Sequence, residues 1–343
     1  MERPIGILLS NLGTPEAPTT PAVRRYLRQF LTDPRVIDIP WLPRQILVNC
    51  VIAPFRAPRS ARAYASIWSP EGSPLMVHSC ALGSEIANRL GPDYRVALGM
   101  RYGNPSMENA FGWLASEGCR EIRLVPLYPH EAEATTGSTR AEFERVARRT
   151  DPSIRTSIAG EFAELPGFVE AQADIARTVL SKSPAEDRHV LFSYHGLPER
   201  HVLRGDPSGI HCLVGSNCCD ALGDKNRHCY RAQCHATSRA LARALDLAPG
   251  TWSTSFQSRL GRIPWIGPHT DEVVRELAGR SVRNLVVLTP SFVADCIETL
   301  EEIEQGLRRQ FLGLGGGSFA VVPCVNKHPR WVDAVVEMAR MGR

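Results

Sequence analysis

One histidine stands where a strand gives way to a loop, a position suited to chemistry. His195 follows the apolar run 189–192 and precedes Gly196 and Pro198, so a buried strand is expected to end there. In an open α/β sheet, ligands bind at the carboxyl ends of the strands. A neutral imidazole at that place can accept a proton or bind a transition metal ion. Taken by itself, such a histidine is more often an ordinary hydrogen-bonded residue, so its assignment depends on other segments.

A second chemical feature is an acidic run that follows another apolar strand at residues 285–288. Four side chains are spaced to share one face of an α-helix, namely Glu298, Glu301, Glu302 and Gln305. Like charges four residues apart cost an exposed helix about 0.2–0.5 kcal/mol. A solvated acidic face near a helix start tolerates that cost. On the residues alone, a solvated face is therefore the simpler interpretation.

The third feature is a concentration of cysteines, because five of the ten in the chain fall in one short segment. Between about residues 208 and 229 the pattern is C-x5-C-C-x9-C, and a fifth cysteine follows. These residues are Cys212, Cys218, Cys219, Cys229 and Cys234. Four thiolates match the ligand count of zinc or of a [2Fe–2S] cluster, although the spacing matches neither a C-x2-C zinc ribbon nor a plant-type ferredoxin. Loop thiols without a metal are the alternative. The pattern indicates a reduced compartment with one local metal site rather than a disulfide scaffold.

Three motifs together carry a resemblance to a known family. SYHGLPERHVLRGDP begins at Ser193, FQSRLGRIPWIGPHT begins at Phe256, and TPSFVADCIETLEEI begins at Thr289. They resemble the histidine motif, the FQSRxGxxPWxxPxT motif and the second metal-site motif of the ferrochelatases. The resemblance extends over essentially the whole chain apart from the cysteine segment.

The resemblance implies insertion of Fe(II) into protoporphyrin IX, which gives protohaem and releases two protons. It places His195 at the porphyrin centre, makes Glu298 its partner and puts Glu302 further along an acidic path. An imidazole together with a carboxylate suits ferrous iron. The residues that fall where the family contacts the porphyrin are Arg56, Tyr64, Ser73, Arg101, Tyr102 and Phe292.

Two of these contacts have expected roles that can be stated chemically. Arg101 and Tyr102 follow a strand at residues 96–100. The guanidinium is expected to hold a propionate carboxylate, and the phenol ring is expected to stack on the flat macrocycle. Cys296 stands where some relatives have a histidine, and it is assigned no role at the metal.

Some bacterial ferrochelatases hold a [2Fe–2S] cluster with cysteines of an internal segment, and the cysteine segment looks like one. The resemblance therefore favours this cofactor over zinc. The expected ligands are Cys212, Cys218, Cys219 and Cys229, with Cys234 as a substitute. Because metal insertion changes no oxidation state, the cluster is expected to support the fold or to sense redox state or iron supply.

Two alternative functions are weighed against the main one. Coproporphyrin III is the nearest alternative substrate, but its two extra propionates would need more cationic partners. Cys296 and a long apolar segment, described below, favour protoporphyrin. A haem or iron sensor without turnover is the alternative of another class, and the presence of both His195 and Glu298 argues against it.

Composition limits the remaining classes. The chain has 343 residues, of which 43% are hydrophobic and 22% charged, which is ordinary for a globular protein with two domains. A net charge of +4 is too small to argue for nucleic-acid binding. The apolar run 5–10 is too short for a signal sequence, and the stretch 45–55 is far short of the ~20 residues of a membrane helix. A cytoplasmic protein is expected, with peripheral contact at the inner membrane.

The expected fold is α/β, with two Rossmann-like, chelatase-type doubly wound domains, parallel sheets and a porphyrin cleft between them. A strand at residues 5–10, a glycine turn and a helix form the first βα unit. The pattern restarts near residue 154. The predicted halves are therefore 1–153 and 154–326, with the cysteine-rich insertion at about 208–229 in the second. A terminal helix at 327–343 is expected to pack back on the first half.

Residues 41–62, here called the lip segment, combine apolar side chains with arginines. The apolar members include Trp41, Leu42, Ile46, Val51 and Phe55, and the arginines are Arg44, Arg56, Arg59 and Arg62. A buried helix with its loop is one interpretation. The other is an exposed apolar lip with a basic rim, able to cover a porphyrin or rest on a membrane surface. The family resemblance favours the exposed lip.

Overall fold

The computed structural model describes residues 3–206, 208–215, 217–259, 261 and 263–341. They form two compact units. The described residues of the first unit fall within Met1–Tyr128, Glu133–Glu161 and Val332–Arg343, and those of the second fall within Pro129–Ala132 and Phe162–Trp331. Leu260 and Arg262 of the FQSRLGRIPWIGPHT motif lie outside the described residues, as do Pro207, Ser216 and the last two residues of the predicted terminal helix.

The first unit is built on a parallel four-stranded sheet. Its strands are β1 (Ile5–Ser10), β2 (Tyr94–Leu98), β3 (Glu121–Pro126) and β4 (Arg155–Ile158). The spatial order is β2-β1-β3-β4, so the apolar β1 is paired on both sides and buried. Such burial is expected of a central parallel strand with helices on its faces.

Helices cover this sheet. They are α1 (Thr20–Leu31), α2 (Trp41–Ile46), α3 (Ala53–Ala65), α4 (Pro74–Leu90), α5 (Met107–Ser116) and α6 (Ser138–Thr150). Two π-helical segments interrupt them, π1 (Leu47–Ile52) and π2 (Glu133–Gly137). On one face of the sheet, Leu8, Ile122 and Leu124 pack against Phe111 of α5 and Phe143 of α6. Each fully buried apolar side chain of this size contributes about 1.5–3 kcal/mol to the free energy of unfolding.

The second unit repeats the same plan. Its strands are β5 (Arg188–His195), β6 (Trp252–Gln257), β7 (Asn284–Leu288) and β8 (Ser318–Val321), in the order β6-β5-β7-β8 and all parallel. Its helical elements are α7 (Pro166–Lys182), α8 (Glu199–Arg204), α9 (Tyr230–Ala244), α10 (Thr270–Gly279), π3 (Glu298–Leu307) and α11 (Arg308–Gly313). In each unit the first strand lies between the second and the third, which is a doubly wound arrangement. The predicted α/β class with parallel sheets is confirmed.

Successive side chains of β5 point to opposite faces of the second sheet, so each face packs against a different set of helices. Phe192 and Tyr194 point to the face covered by α7 and α9. Leu191 points to the opposite face, where Ile303 of π3 packs. By the same alternation, the side chain of His195 lies on the π3 face. The position of one histidine relative to the acidic helix therefore follows from strand periodicity.

The structure corrects the predicted boundary after residue 153. The strand 155–158 does not open the second unit but pairs with β3 as the edge strand of the first sheet, with Glu121 opposite Arg155. The first unit continues to Glu161. A restart of the strand pattern marks a new strand, yet periodicity alone does not determine which sheet that strand joins.

The final helix, α12 (Pro329–Met341), has most of its residues in the first unit. Arg123 of β3 donates to the carbonyl oxygens of Ala339 and Arg340 at 2.8 and 2.7 Å, which satisfies carbonyl groups at the helix end. Among the helices of the described ranges, none is both long and apolar enough to span a bilayer.

Candidate active site

The candidate site lies where the strand order of the second sheet reverses. From β5 the chain crosses to β6 on one side and then to β7 on the other, so the carboxyl ends of β5 and β7 flank a crevice. Ligands of open α/β sheets bind in this crevice. His195 is the last residue of β5, and Ser291 follows the end of β7. The two segments meet directly, because the His195 backbone N–H donates to Ser291 Oγ at 3.2 Å.

A short hydrogen bond sets the tautomer of His195. Its Nδ1 lies 2.7 Å from the carbonyl oxygen of Gly196. A carbonyl oxygen only accepts, so we assign the ring proton to Nδ1 and the lone pair to Nε2. The ring is half-buried, and the Phe292 ring stands edge-on to it at 6.4 Å between centroids. His195 therefore presents a basic nitrogen that can accept a proton or bind a metal ion.

Gly196 allows this geometry. Its N–H donates to the Gln257 carbonyl oxygen at 2.8 Å, and a Cβ on Gly196 would lie only 2.7 Å from that oxygen. Any larger residue would push the loop away from β6. The glycine that follows the histidine is thus a steric requirement of the site.

The acidic run forms a π-helix rather than the predicted α-helix. In π3 the backbone bonds run from residue i to i+5, which widens the turn and brings residues four to five apart onto one side. Glu298 and Glu302 consequently share a side, whereas Glu301 and Gln305 do not belong to one α-helical face with them. The prediction of a single four-residue face is wrong for that reason. π-helical turns occur frequently at functional sites.

Burial and several neighbouring groups together set the pKa of the Glu302 carboxyl group. Its burial raises the pKa of the carboxyl group, and the charge of Glu298 raises it further. The hydroxyl of Ser258, which donates to Glu302 Oε2 at 2.6 Å, and the nearby His195 act in the opposite direction. The structure thus brings His195, Glu298 and Glu302 into one electrostatic environment. A carboxyl group whose pKa is raised holds its proton more readily than an ordinary one, which suits it to proton transfer.

Two neighbouring residues of the FQSRLGRIPWIGPHT motif, Gln257 and Ser258, form hydrogen bonds to Glu298 and Glu302. Gln257 is buried, accepts from Ser193 Oγ at 2.8 Å and donates to the backbone carbonyl of Glu298 at 3.3 Å. Ser258 has a positive φ of 67°, a strained conformation for a residue other than glycine. Its strain is retained where its hydroxyl binds Glu302, which is typical of a functional site.

Asp295 and Asn326 fix the chain just before π3. The Asp295 N–H donates to Asn326 Oδ1 at 3.0 Å, and Asn326 Nδ2 donates back to Asp295 Oδ2 at 2.7 Å. Cys296 follows and is buried; burial raises the pKa of its thiol well above the usual value, and the charge of Glu298 adds to the effect. Cys296 is therefore a neutral neighbour of Glu298.

Sequence reasoning missed four residues that support the site: Ser258, Tyr230, Ser291 and Asp295. Ser258, Ser291 and Asp295 stand inside recognised motifs, so their presence there was an available signal. Their contacts are hydrogen bonds between segments far apart in sequence, which no local pattern reveals.

The structure contradicts the expectation that Tyr102 stacks on a ligand. Its ring is only 1% exposed and packs at 5.1 Å from the Phe30 ring. Its hydroxyl donates to Asp33 Oδ2 at 2.9 Å and also lies 3.1 Å from Ser138 Oγ. The phenol is part of the interior of the first unit, where a ligand ring has no access to its face.

Arg101 is committed to the same network. Its Nη2 lies 2.5 Å from Asp33 Oδ2, its Nε donates to Ser138 Oγ at 2.6 Å, and its guanidinium carbon sits 4.4 Å above the Tyr102 ring. The carboxylate that pairs with Arg101 in this structure is Asp33, which comes from a segment 68 residues earlier, and the propionate contact stays a prediction.

The other residues predicted to contact the porphyrin differ in how exposed their side chains are. Ser73 is 4% exposed and accepts from Thr14 Oγ1 at 2.8 Å, and Tyr64 is buried against Trp68. Both side chains have packing partners within the first unit, and their contact with a porphyrin stays a prediction. Arg56, by contrast, is exposed on the lip segment, and Phe292 is half-buried beside His195.

The lip segment carries large apolar side chains in solvent. The exposed members are Trp41, Leu42, Ile46, Val51 and Phe55, the last at 78%. They lie on α2, π1 and α3, and the interpretation as a buried helix is wrong. Arg59 and Arg62 are exposed nearby, whereas Arg44 is buried and donates to the Ile39 carbonyl oxygen at 2.7 Å.

The cysteine segment brings its four thiols into the core of the second unit. All four are between 1% and 7% exposed. The Sγ atoms of Cys218 and Cys219 are 3.7 Å apart, and the Cys229 thiol hydrogen-bonds to Cys212 and Cys219. Cys234, on α9, is fully buried in the same apolar cluster.

Polar groups around the thiols suit a negatively charged group. Arg231 Nη1 lies 3.2 Å from Cys219 Sγ and 3.9 Å from Cys218 Sγ. Asp206 shapes the loop by accepting the backbone N–H of His211 and Cys212, each at 2.8 Å. Burial raises the pKa of the Cys212 and Cys218 thiols. A bound metal would supply the positive charge that thiolates need there.

Comparisons with known proteins agree on one family. The family model described as ferrochelatase matches residues 4–342. A ferrochelatase of Legionella pneumophila (strain Corby) is 46% identical over 332 residues, covering 96% of this chain and 97% of that protein. A ferrochelatase of Coxiella burnetii (strain Dugway 5J108-111) is 44% identical over 336 residues, covering 98% of this chain and 93% of that protein.

A solved structure shares the fold at low identity. SirB from Bacillus subtilis with Fe3+ superposes with a TM-score of 0.55 at 15% identity, covering 99% of this chain and 95% of that one. The likeness supports the chelatase-type α/β fold and nothing about substrate.

Replacing Asp33 with asparagine tests the structural role of Arg101 and Tyr102. Burial alone would raise the pKa of Asp33, but bonds from Ser138, the Arg35 N–H and Tyr102, with the charge of Arg101, hold it below 3.8. Asp33→Asn leaves a largely buried guanidinium without its counter-charge and is expected to cost on the order of 3 kcal/mol at pH 7. Urea unfolding followed by circular dichroism measures it.

The sign of the pH dependence gives a further check on this pair. Because the folded pKa is lowered, the stabilisation by Asp33 is present above pH 3.8 and declines as the pH falls below it, so the variant and the wild type converge in acid. As a control, Glu144→Gln breaks the exposed pair with Arg148 and is expected to cost less than about 0.5 kcal/mol. Equal losses in the two variants at pH 7 would refute the buried-network assignment.

Proposed function

This chain belongs to the ferrochelatase family, and from that premise we propose that it inserts Fe(II) into protoporphyrin IX at the carboxyl ends of β5 and β7. The products are protohaem and two protons. The observation that carries the placement is His195, whose Nδ1 lies against the Gly196 carbonyl oxygen, in one electrostatic environment with Glu298 and Glu302.

The reaction makes two chemical demands that these residues meet. The two pyrrole N–H groups of the macrocycle must lose their protons, and His195 Nε2 is the acceptor. Fe(II) must exchange water for porphyrin nitrogens, and the Glu298 carboxylate offsets its charge while it does so. Imidazole and carboxylate ligands together suit ferrous iron. Glu302, whose pKa is raised, passes protons on toward solvent.

Replacing His195 tests this assignment. His195→Ala removes the proton acceptor and is expected to lower the rate of protohaem formation by at least ~100-fold, the scale of general-base catalysis. The measurement mixes purified protein, Fe(II) and protoporphyrin IX under anaerobic conditions. A parallel reaction with coproporphyrin III tests the alternative substrate.

The matched control is His189→Gln, at the other end of the same strand. His189 is buried and hydrogen-bonds to Ser253 at 2.9 Å, far from the reacting end of β5. It is expected to retain activity. Full activity of a folded His195→Ala variant would exclude the proposed role, and a wild-type rate equal to the reaction without protein would favour a non-catalytic sensor.

We also propose that the cysteine segment holds a [2Fe–2S] cluster through Cys212, Cys218, Cys219 and Cys229, with Cys234 as a substitute. Burial of all four thiols and the guanidinium of Arg231 support an anionic metal–thiolate group. When bound, such a cluster would cross-link the segment and offer a group sensitive to redox state or iron supply.

The preference for this cluster over zinc rests on the resemblance to bacterial ferrochelatases that carry an internal cysteine segment. The Sγ atoms of Cys218 and Cys219 lie 3.7 Å apart, which fits two thiolates on one metal ion.

The colour of the protein tests the cofactor. Aerobically purified protein is expected to absorb in the visible range, and Cys229→Ser is expected to abolish that absorption. Cys50→Ser, which changes an exposed cysteine of the lip segment, is the control and should keep the colour. Colourless protein that contains stoichiometric zinc would contradict the iron assignment.

The lip segment is proposed to cover the porphyrin and to make peripheral contact with the inner membrane. Trp41, Ile46 and Phe55 supply apolar surface for the macrocycle or the acyl boundary, and exposed Arg59 and Arg62 supply charge for propionates or anionic headgroups. Both partners share the same chemistry, an apolar body bordered by negative charge.

A further inference from the structure

Side chains hold both backbone polar groups of His195. Its N–H donates to Ser291 Oγ at 3.2 Å, and its carbonyl accepts from the Tyr230 hydroxyl at 2.7 Å. The two hydroxyl oxygens are 3.1 Å apart. Since the Tyr230 proton goes to the carbonyl, Ser291 donates its own proton to Tyr230. The result is a closed ring of hydrogen bonds through the catalytic residue.

This ring of hydrogen bonds lies beyond the point where β5 and β7 stop pairing, and it takes the place of that pairing. On one side, β6 stays paired with β5 as far as His195 opposite Gln257. On the other side, pairing with β7 ends at Phe192 opposite Leu288. Backbone groups of His195 that face β7 therefore have no strand partner there. Tyr230 and Ser291 take that place, so the orientation of His195 depends on two side chains.

Tyr230 belongs to the end of the cysteine segment. It is the first residue of α9 and directly follows Cys229, which is 1% exposed. One helical turn on, the Cys234 thiol hydrogen-bonds to the Tyr230 hydroxyl and interacts with Cys219. All of these side chains pack in one apolar cluster. The position of the Tyr230 ring is consequently set by how the cysteine segment is held.

We propose that Tyr230 is a positioning residue that couples the cysteine cluster to His195. The inference rests on the proposed function, both for the role of His195 and for the cluster. A cluster bound through Cys229 would fix the start of α9, where the Tyr230 hydroxyl holds the His195 carbonyl. Loss of such a cluster would release Cys229 and loosen the constraint that Tyr230 places on His195.

Tyr230→Phe removes only the hydroxyl and leaves the ring in the core. The variant is expected to keep the visible absorption of the cluster, to lose ~10- to ~100-fold in kcat, the cost of a small misplacement of a reacting group, and to keep its KM for protoporphyrin. Tyr194→Phe is the matched control, because its hydroxyl is buried in the same cluster but contacts Ser238 at 2.9 Å. It should keep the wild-type kcat.

A double-mutant cycle tests the coupling itself. Cys229→Ser is expected to lower kcat strongly in the wild-type background and much less in the Tyr230→Phe background, where the link is already cut. Cys212→Ser, at the far end of the segment, repeats the cycle without altering α9. A wild-type kcat for Tyr230→Phe would overturn the proposal, and so would equal effects of the cysteine variants in both backgrounds.

The spectrum, recorded before the kinetics, separates this proposal from the one on which it rests. A wild-type protein without the cluster would overturn the cofactor and the coupling together, while the role of His195, measured with His195→Ala, would stand. A coloured protein with an additive cycle would overturn the coupling alone.

Discussion

The hydrogen bond between His195 Nδ1 and the Gly196 carbonyl determines what the site can do. It assigns the ring proton to Nδ1, so Nε2 keeps its lone pair for a proton or a metal ion. Gly196 also lies so close to β6 that a Cβ there would come within 2.7 Å of the Gln257 carbonyl oxygen. The backbone N–H of His195 is held by Ser291, and its backbone carbonyl is held by Tyr230. A single imidazole is thus oriented by three different segments of the second unit.

The glutamates complete the site because of how their helix is wound. An α-helix would spread Glu298, Glu301, Glu302 and Gln305 along one solvated face. The wider π3 turn instead selects two of them, and strand alternation puts His195 on the sheet face that π3 covers. Buried and close to Glu298, Glu302 has a raised pKa, although Ser258 and His195 moderate it. The fold therefore raises the pKa of Glu302 through burial and geometry rather than through unusual residues.

Residue spacing and composition predicted the features that are encoded within short stretches of the chain. These features are the apolar strands, the α/β class, the thiol-rich segment and the strand-end position of His195. The edge strand 155–158 was assigned to the wrong unit because its partner, β3, lies in another part of the chain. The burial of Tyr102 was not predicted for the same reason, since Asp33, which contacts both Arg101 and Tyr102, comes from a distant segment. The family resemblance identified the motifs, but only the coordinates show which of the predicted side chains already have hydrogen-bond or ion-pair partners.

Locating the metal ion is the most direct measurement on the central claim. Anaerobic crystals soaked with Co(II), an ion that resembles Fe(II) in size and charge and is stable to air, would show its position by anomalous scattering. The account predicts a site with a metal–nitrogen distance of about 2.1 Å to His195 Nε2, with a carboxylate oxygen of Glu298 facing the same ion. Metal bound away from the end of β5, with His195 Nε2 engaged by another protein group, would contradict it.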